Sequence, residues 1–195
     1  MRAMDTKIKQ VDVLPMVKHY MTELKLHELF DKHVPNDKGR EIKPAQVLCM
    51  MVMNIVVAAK PLYKVDEWLS EYLDGKAEAM ENANKYNDDR LARSLDDLFH
   101  ADRHSLMCDA SISAIKVHNL ITKQMHNDST TITFTGGYRL QSPAAVQLDF
   151  GFNKDHRPDY KQIVFGLNIT DDGHVPISYQ LFNGNQADVN THIPN

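Results

Sequence analysis

Hydrophobic residues recur at a spacing near 3.6 positions along the first two thirds of the chain, and this periodicity predicts amphipathic helices. In the first helix Leu14, Val17, Met21 and Leu24 fall on one face. The predicted helices cover residues 13–24, 26–33, 44–59 and 62 to about 75, then a helix that Asn87 or Asp88 can cap, and finally residues from about 104 to 125. The region before residue 126 is therefore expected to be all helical.

The pattern also predicts which helix faces are buried. The helix over 44–59 is apolar on nearly all sides, which is typical of a central buried helix. The helix after Asn87 is predicted to turn inward Leu91, Leu95, Leu98 and Phe99, leaving Arg90, Arg93, Asp96 and Asp97 outside. The inward stripe of the last helix is predicted to be Leu106, Ala110, Ala114, Val117, Ile121 and Met125.

The pattern changes after residue 126, where runs rich in β-branched and aromatic residues predict strands. These runs cover residues 129–135, 145–150, 162–169 and 175–182. Gly136-Gly137 closes the first run, and the turn residues Asp171-Asp172-Gly173 between the last two predict a hairpin. The expected fold class is α+β, with an all-helical N-terminal domain over 1–125 and a β-containing domain over 126–195.

Composition limits the function classes. With 195 residues, 43% of them hydrophobic, the chain has room for one domain and part of another. Two cysteines, Cys49 and Cys108, suggest neither a disulfide framework nor a thiolate metal cluster. The longest apolar run, Val47 to Ala59, is shorter than the roughly 20 residues of a membrane span, and the N-terminus lacks the apolar core of a signal peptide. A cytoplasmic protein with no membrane partner is expected.

The overall charge gives no sign of a nucleic-acid partner. The net charge is −4 and the sequence pI is about 6.2, so any binding to nucleic acid must come from local patches. Two patches are candidates. Lys154, His156, Arg157 and Lys161 cluster before the strand at 162, and Arg90 and Arg93 lie one turn apart on a helix.

Each patch has a second interpretation. Asp155 and Asp159 interleave with the first cluster and could make it a salt-bridged turn, and Asp96 and Asp97 follow the arginines on what could be an ordinary solvated helix face.

Asp128 is the candidate for chemistry. It stands at the start of the first predicted strand, next to Ser129 and Thr130. Phosphoryl-transfer nucleases hold two metal ions about 4 Å apart with carboxylates from different strands and a helix, so a strand carboxylate of this kind could be a metal ligand. The alternative is that Asp128 only caps the preceding helix or begins the strand.

Four segments together resemble the insertion-sequence transposases of the DDE type, which have a ribonuclease-H-like core. In the β region the segments are His-Asn-Asp-Ser-Thr-Thr at 126–131 with Gly-Gly-Tyr at 136–138, then 152–167, and then 175–188. In the helical region, residues 87–98 are similar to the helical N-terminal domain of those transposases. The resemblance therefore covers most of the chain.

The resemblance implies that the chain holds the first strands of a ribonuclease-H-like domain. It implies that Asp128 is the first catalytic acidic residue and a ligand for Mg²⁺. It also implies that the partner is DNA at the element ends, and a homo-oligomer is a possible assembly. The family's later Asp and Glu would follow a connection starting near Asp188, and the sequence stops at Asn195. We therefore expect a truncated chain with an incomplete catalytic site, and whether the chain is an enzyme is left open.

Two other hypotheses remain at this point. The helical part could be a non-catalytic DNA-binding or dimerising module that acts as a regulator. Alternatively, the chain could be an inactive remnant whose incomplete sheet exposes an unpaired edge.

Overall fold

The computed structural model describes residues 11–37, 39–71, 83–136, 138, 146–152 and 159–186. Across these ranges, six α-helices precede a four-stranded antiparallel sheet, so the fold is α+β with a helical N-terminal part. The helices are α1 Leu14–Glu23, α2 Leu26–His33, α3 Pro44–Val57, α4 Val65–Glu71, α5 Asp88–His100 and α6 Arg103–His118. The strands are β1 Met125–Phe134, β2 Asp149–Phe150, β3 Lys161–Thr170 and β4 Pro176–Asn183.

The chain forms two compact units, Met1–Ser113 and Ala114–Asn195, which are described separately. Below they are called the helical unit and the sheet unit. Over the described residues, no single helix is long and apolar enough to cross a membrane. One pair reaches that length and hydropathy together, α3 with the segment Leu62–Glu71, but it is bent by 90°.

Helix α3 is the centre of the helical unit. It buries nine residues, which agrees with the prediction from its apolar sequence. Pro44 occupies its first turn, where a missing N–H costs nothing because that group would have no partner within the helix. Trp68, Leu69 and Leu91 belong to the same buried cluster, so α4 and α5 complete the core around α3.

Asn54 fixes the end of α3. Its backbone oxygen accepts hydrogen bonds from the N–H groups of Ala58 and Ala59, at 2.9 and 2.7 Å. Its buried side chain bonds both backbone groups of Lys60: Nδ2 donates to the Lys60 oxygen at 2.8 Å, and Oδ1 accepts from the Lys60 N–H at 3.1 Å. Because both ends of the buried amide are paired, its hydrogen bonds offset the cost of removing it from water. One side chain thus fixes the chain between α3 and the helix predicted to start at residue 62.

The predicted cap of α5 is confirmed, but half of its predicted inward face is wrong. The Asn87 side chain accepts a hydrogen bond from the Arg90 N–H at 3.0 Å, as an N-cap residue does. Leu91 and Ser94 are buried, whereas Leu95 is 37% and Phe99 55% exposed. The buried stripe follows 91, 94 and 98, which turns the other two side chains away from the core.

The last helix ends earlier than predicted. Helix α6 stops at His118, and Asn119 follows with φ of +51°, a left-handed conformation that asparagine tolerates better than most residues and that ends helices. The last three residues of the predicted inward stripe are not buried: Val117, Ile121 and Met125 are 40%, 59% and 58% exposed. Met125 is instead the first residue of β1, so the strand also begins earlier than predicted.

Strand β3 is the central strand of the sheet unit. On one edge it pairs with β1 along its whole length, from Met125 opposite Thr170 to Phe134 opposite Lys161. On the other edge it pairs with β4 and, at its first two residues, with β2. The predicted hairpin between β3 and β4 is confirmed. Thr170 stabilises its turn, since Oγ1 accepts from the Val175 N–H at 3.0 Å and donates to the Asp172 oxygen at 2.6 Å.

One carboxylate links two helices of the helical unit. Asp109 on α6 accepts hydrogen bonds at Oδ2 from Lys32 Nζ at 2.5 Å and His33 Nε2 at 2.8 Å, both at the end of α2. The Lys32 hydrogen bond is the main cause, and the His33 hydrogen bond the second, of a lowered pKa for Asp109. The side chain of His33 is only 10% exposed, so the contact lies at the edge of the core.

Asp109→Asn is expected to lower the unfolding temperature of the helical unit in a pH-dependent way. A carboxyl group whose pKa is lower in the folded state stabilises the fold at pH values above its ordinary pKa of 3.8. That contribution is lost as the pH falls through the folded pKa. The difference between Asp109→Asn and the parent chain should therefore be present at neutral pH and shrink below pH 3.8. Trp68, 2% exposed and the sole tryptophan, reports the unfolding by fluorescence.

Asp31→Asn is the matched control, because Asp31 also lies on α2 and makes one exposed ion pair, with Lys43 at 3.3 Å. Exposed pairs contribute little, so this variant should differ less from the parent. An Asp109→Asn difference that did not depend on pH would contradict the assigned role of the charge.

Candidate functional site

Asp128 lies on an exposed face of the sheet. It is the fourth residue of β1 and stands opposite Leu167 of β3. Side chains alternate along a strand, so the next residue, Ser129, turns to the other face, where it is buried. Asp128 Oδ1 accepts a hydrogen bond from the Ser129 N–H at 2.8 Å. The sequence placed Asp128 at the start of the strand, whereas three residues of β1 precede it.

A histidine lies on the same face as Asp128, and it contacts a second carboxylate. His126 is two residues earlier on the same face of β1, a separation of about 7 Å along the strand. Its Nε2 is 2.8 Å from Oδ1 of Asp171 in the β3–β4 turn, and its ring lies 6.4 Å from that of His174. Sequence reasoning did not identify His126 or Asp171 as neighbours. The alternation along β1 signals the first of them, but only the strand register brings Asp171 to His126.

The described residues offer one candidate metal ligand, Asp128, rather than a complete site. A carboxylate is the ligand type that Mg²⁺ prefers, and Asp128 supplies one. Over the ranges described, no three or more His, Cys, Asp or Glu side chains are grouped so as to hold a metal ion. The fit of Mg²⁺ to this face is therefore limited to the single carboxylate of Asp128.

Lys161 does not share a site with Asp128. It is the first residue of β3 and pairs with Phe134 at the far end of β1. Leu167, the partner of Asp128, is six positions further along β3, which corresponds to about 20 Å between the two sites. Lys161 also pairs with Phe150 of β2 on its other side. The other members of the predicted basic cluster, Lys154, His156 and Arg157, lie outside the described residues.

The two predicted arginines differ in their surroundings. Arg90 is 30% exposed and its Nη2 lies 3.5 Å from Oε2 of Glu41, a carboxylate that also forms an ion pair with Lys85. Those cations, Lys85 first, lower the pKa of Glu41. Arg93 is 73% exposed and its Nη2 is 3.9 Å from Oδ2 of Asp89. Arg93 is thus the more accessible cation, and the prediction that Arg90 stays outside holds only in part.

A close-packed junction holds the ends of β2, β3 and β4 together. Gln162 is 1% exposed, and its Nε2 donates a hydrogen bond to the backbone oxygen of Gly184 at 2.7 Å. A Cβ atom on Gly184 would lie 2.0 Å from the Gln162 backbone oxygen and 2.5 Å from that of Asp149. Glycine is therefore required at this position by backbone contacts that no side-chain rotation can relieve.

Gly184→Ala is expected to destabilise the sheet unit by about 1 to 3 kcal/mol, the usual range for inserting a methyl group into packed structure. The backbone of β4 must shift away from β3 to make room. Amide hydrogen exchange of β3 measures the effect in the sheet unit alone.

Gly166→Ala serves as the control in the same sheet. There an added Cβ would be 3.4 Å from the ring edge of Phe182, which is ordinary contact. Equal exchange rates in the two variants would show that the Gly184 junction is not tightly packed.

Comparison with known families identifies the helical region. Residues 6–114 match DUF4277, a domain of unknown function. No curated protein and no solved structure matches the chain. The match covers more than half of the sequence and ends before β1, so it contains α1 to α5 and most of α6 but not Asp128.

Proposed function

We propose that this chain, which belongs to the DUF4277 family, takes part in DNA transposition, with Asp128 as a ligand for magnesium. The observation that carries the proposal is the exposed Asp128 carboxylate within the Asp-Ser-Thr-Thr segment of a ten-residue strand. In the DDE transposases that the sequence resembles, the acidic residue of this segment is the first catalytic one. The DUF4277 match does not bear on that role, because the matched residues end before β1.

The strand pairing supports the proposal in physical terms. Strand β1 uses one edge to pair with β3, and over the described residues no strand pairs with its other edge. Neighbouring strands lie about 4.8 Å apart, so a strand added there would bring its side chains beside Asp128. Two carboxylates on adjacent strands are the arrangement that a two-metal phosphoryl-transfer site needs.

The proposed chemistry is the cutting and rejoining of phosphodiester bonds at element ends. Bound magnesium would activate the attacking oxygen and stabilise the charge that develops on the phosphate. The Asp128 carboxylate would hold the metal ion at a fixed place on the rigid sheet. The remaining ligands of a complete site would come from residues other than the described ones, because among those no three or more His, Cys, Asp or Glu side chains are grouped so as to hold a metal ion. We place the activity in the cytoplasm, where unpaired thiols such as Cys49 and Cys108 persist.

Manganese is the probe for the metal site. Mn²⁺ added to the isotope-labelled chain is expected to broaden the amide signals of Asp128 and its strand neighbours first, because a paramagnetic ion acts over short distances. Asp128→Asn should remove this effect, since a neutral amide is a poor ligand for a hard cation.

Asp149→Asn is the control, because Asp149 is another carboxylate of the sheet, on β2. It should leave the broadening at Asp128 unchanged. If Mn²⁺ broadens the Asp128 signals equally in the Asp128→Asn variant, the assignment of this residue as a ligand is wrong.

DNA is the proposed partner, and accessible cations are the proposed contacts. Arg93 on the helical unit and Lys161 on the sheet unit are the candidates of choice among the described residues, whereas Arg90 is already paired with Glu41. The same contacts would serve the second candidate function, a non-catalytic DNA-binding or dimerising module. The 73% exposure of the Arg93 side chain favours a DNA contact from the helical unit. A homo-oligomer belongs to this proposal as well, as the assembly that would bring two element ends together.

Arg93→Ala and Lys161→Ala are each expected to weaken binding to duplex DNA and to reduce the salt dependence of the binding constant by about one unit of slope. The reason is that each phosphate contact releases condensed counterions. Fluorescence anisotropy at several salt concentrations measures both quantities.

Lys60→Ala is the control, because Lys60 is exposed but was not predicted to contact DNA. It should change the slope less than either of the other variants. Binding that does not depend on salt would contradict a phosphate-based interface altogether.

A further inference from the structure

A cavity of about 330 Å³ lies among α1, α2 and α3 in the helical unit and opens to solvent. A small molecule therefore has direct access from solvent to the cavity. Its volume falls within the range typical of small-molecule sites, roughly 300 to 1,000 Å³. The cavity lies within the region that matches DUF4277, and Asp128 is not among its lining residues.

The cavity has an apolar side and a polar side. The apolar side, called the sulfur wall, is formed by Met21, Cys49 and Met53. Cys49 and Met53 are each 8% exposed, and Met21 is half-buried. The polar side, called the polar rim, is formed by Lys18, Thr22, His27 and Glu28. Of these four only Lys18 is half-buried, and the other three are exposed.

Two titratable groups of the cavity wall and rim are partly removed from water. Burial raises the pKa of the Cys49 thiol to about 12, and the charge of Glu28 adds to the shift. Burial also lowers the pKa of Lys18. Both changes are those expected when the charged form of a group is deprived of water. Cys49 therefore remains a neutral thiol and behaves as a small apolar group facing the cavity.

The side chains of the sulfur wall favour a ligand with a flat aromatic ring. Thioether sulfur makes favourable contacts with the edges and faces of aromatic rings, and methionine side chains adapt to flat groups. We propose that the cavity binds a small molecule built on one aromatic ring, with the ring against the sulfur wall and a polar substituent at the polar rim. This site is independent of the proposed role in transposition and assigns a ligand-binding activity to the helical unit.

Phenol and cyclohexanol are the probes, because they share size and hydroxyl group but differ in aromaticity. The chain is labelled with methyl-¹³C methionine, and each probe is titrated while the methyl signals are recorded. Phenol is expected to shift the Met21 and Met53 signals and to saturate with a dissociation constant on the order of 1 mM, which is reasonable for so few atoms. Cyclohexanol should bind at least several-fold more weakly. Equal affinities would overturn the aromatic class.

Met16 is the internal control, since it lies on α1 and is 60% exposed outside the cavity. Its methyl signal should not follow the probe. Shifts of the same size at Met16, or shifts that rise linearly without saturation, would mean that phenol binds the surface at large and would overturn the proposal.

Substitution at the rim gives the second test. Thr22→Trp places a large side chain at the opening without changing the buried wall, because Thr22 is exposed. It should weaken phenol binding at least tenfold, whereas Met16→Trp on the same helix should not. Undiminished binding in Thr22→Trp would overturn the site.

N-acetyl-tyrosinamide distinguishes a small-molecule ligand from an aromatic side chain of a partner protein. It carries the phenol ring on a peptide-like backbone. Weaker binding than that of phenol supports a free small molecule, and tenfold tighter binding would overturn that identity in favour of a protein side chain.

Discussion

Strand β3 must satisfy its backbone hydrogen-bonding groups on both edges, and the sheet unit depends on that constraint. A central strand has no contact with water along either edge, so its N–H and C=O groups require partners from neighbouring strands. Strand β1 supplies them on one side and β4 with β2 on the other. This pairing sets the register of β1, and a slip by one residue would turn Asp128 to the buried face. The pairing of the β1 backbone with the β3 backbone therefore keeps the Asp128 side chain on the exposed face.

Sequence periodicity was sufficient for most of the elements. The predicted second helix, residues 26–33, has the same bounds in the structure, and each of the four strand-like runs overlaps one observed strand. The predictions of buried residues were wrong where side-chain packing, rather than sequence periodicity, decides which positions face the core. Leu95 and Phe99 fit an apolar stripe, but the core accepts the 91, 94 and 98 positions instead. The guanidinium carbon of Arg103 lies 4.8 Å from the centre of the Phe99 ring, so this ring packs against a cation at the surface.

The candidate site was less predictable than the fold, because it depends on contacts distant in sequence. Asp128 could be chosen from its own segment, since the residue type and the strand pattern are local. The proximity of Asp171 to His126 could not, since it follows from where the β3–β4 turn meets β1. The position of Lys161 relative to Asp128 could not be predicted either, because only the strand register shows that Lys161 lies at the far end of β1. The cavity of the helical unit leaves no periodic signal, because its seven lining residues come from three helices.

The two cysteines occupy opposite chemical environments. The buried Cys49 thiol has its pKa raised to about 12, whereas Cys108 on α6 is exposed. Since only the thiolate is a good nucleophile, alkylating and oxidising reagents should react with Cys108 and leave Cys49 intact while the chain is folded. The native sequence thus carries a single addressable thiol for attaching a fluorophore or spin label, and the appearance of a second reactive thiol would report opening of the helical core.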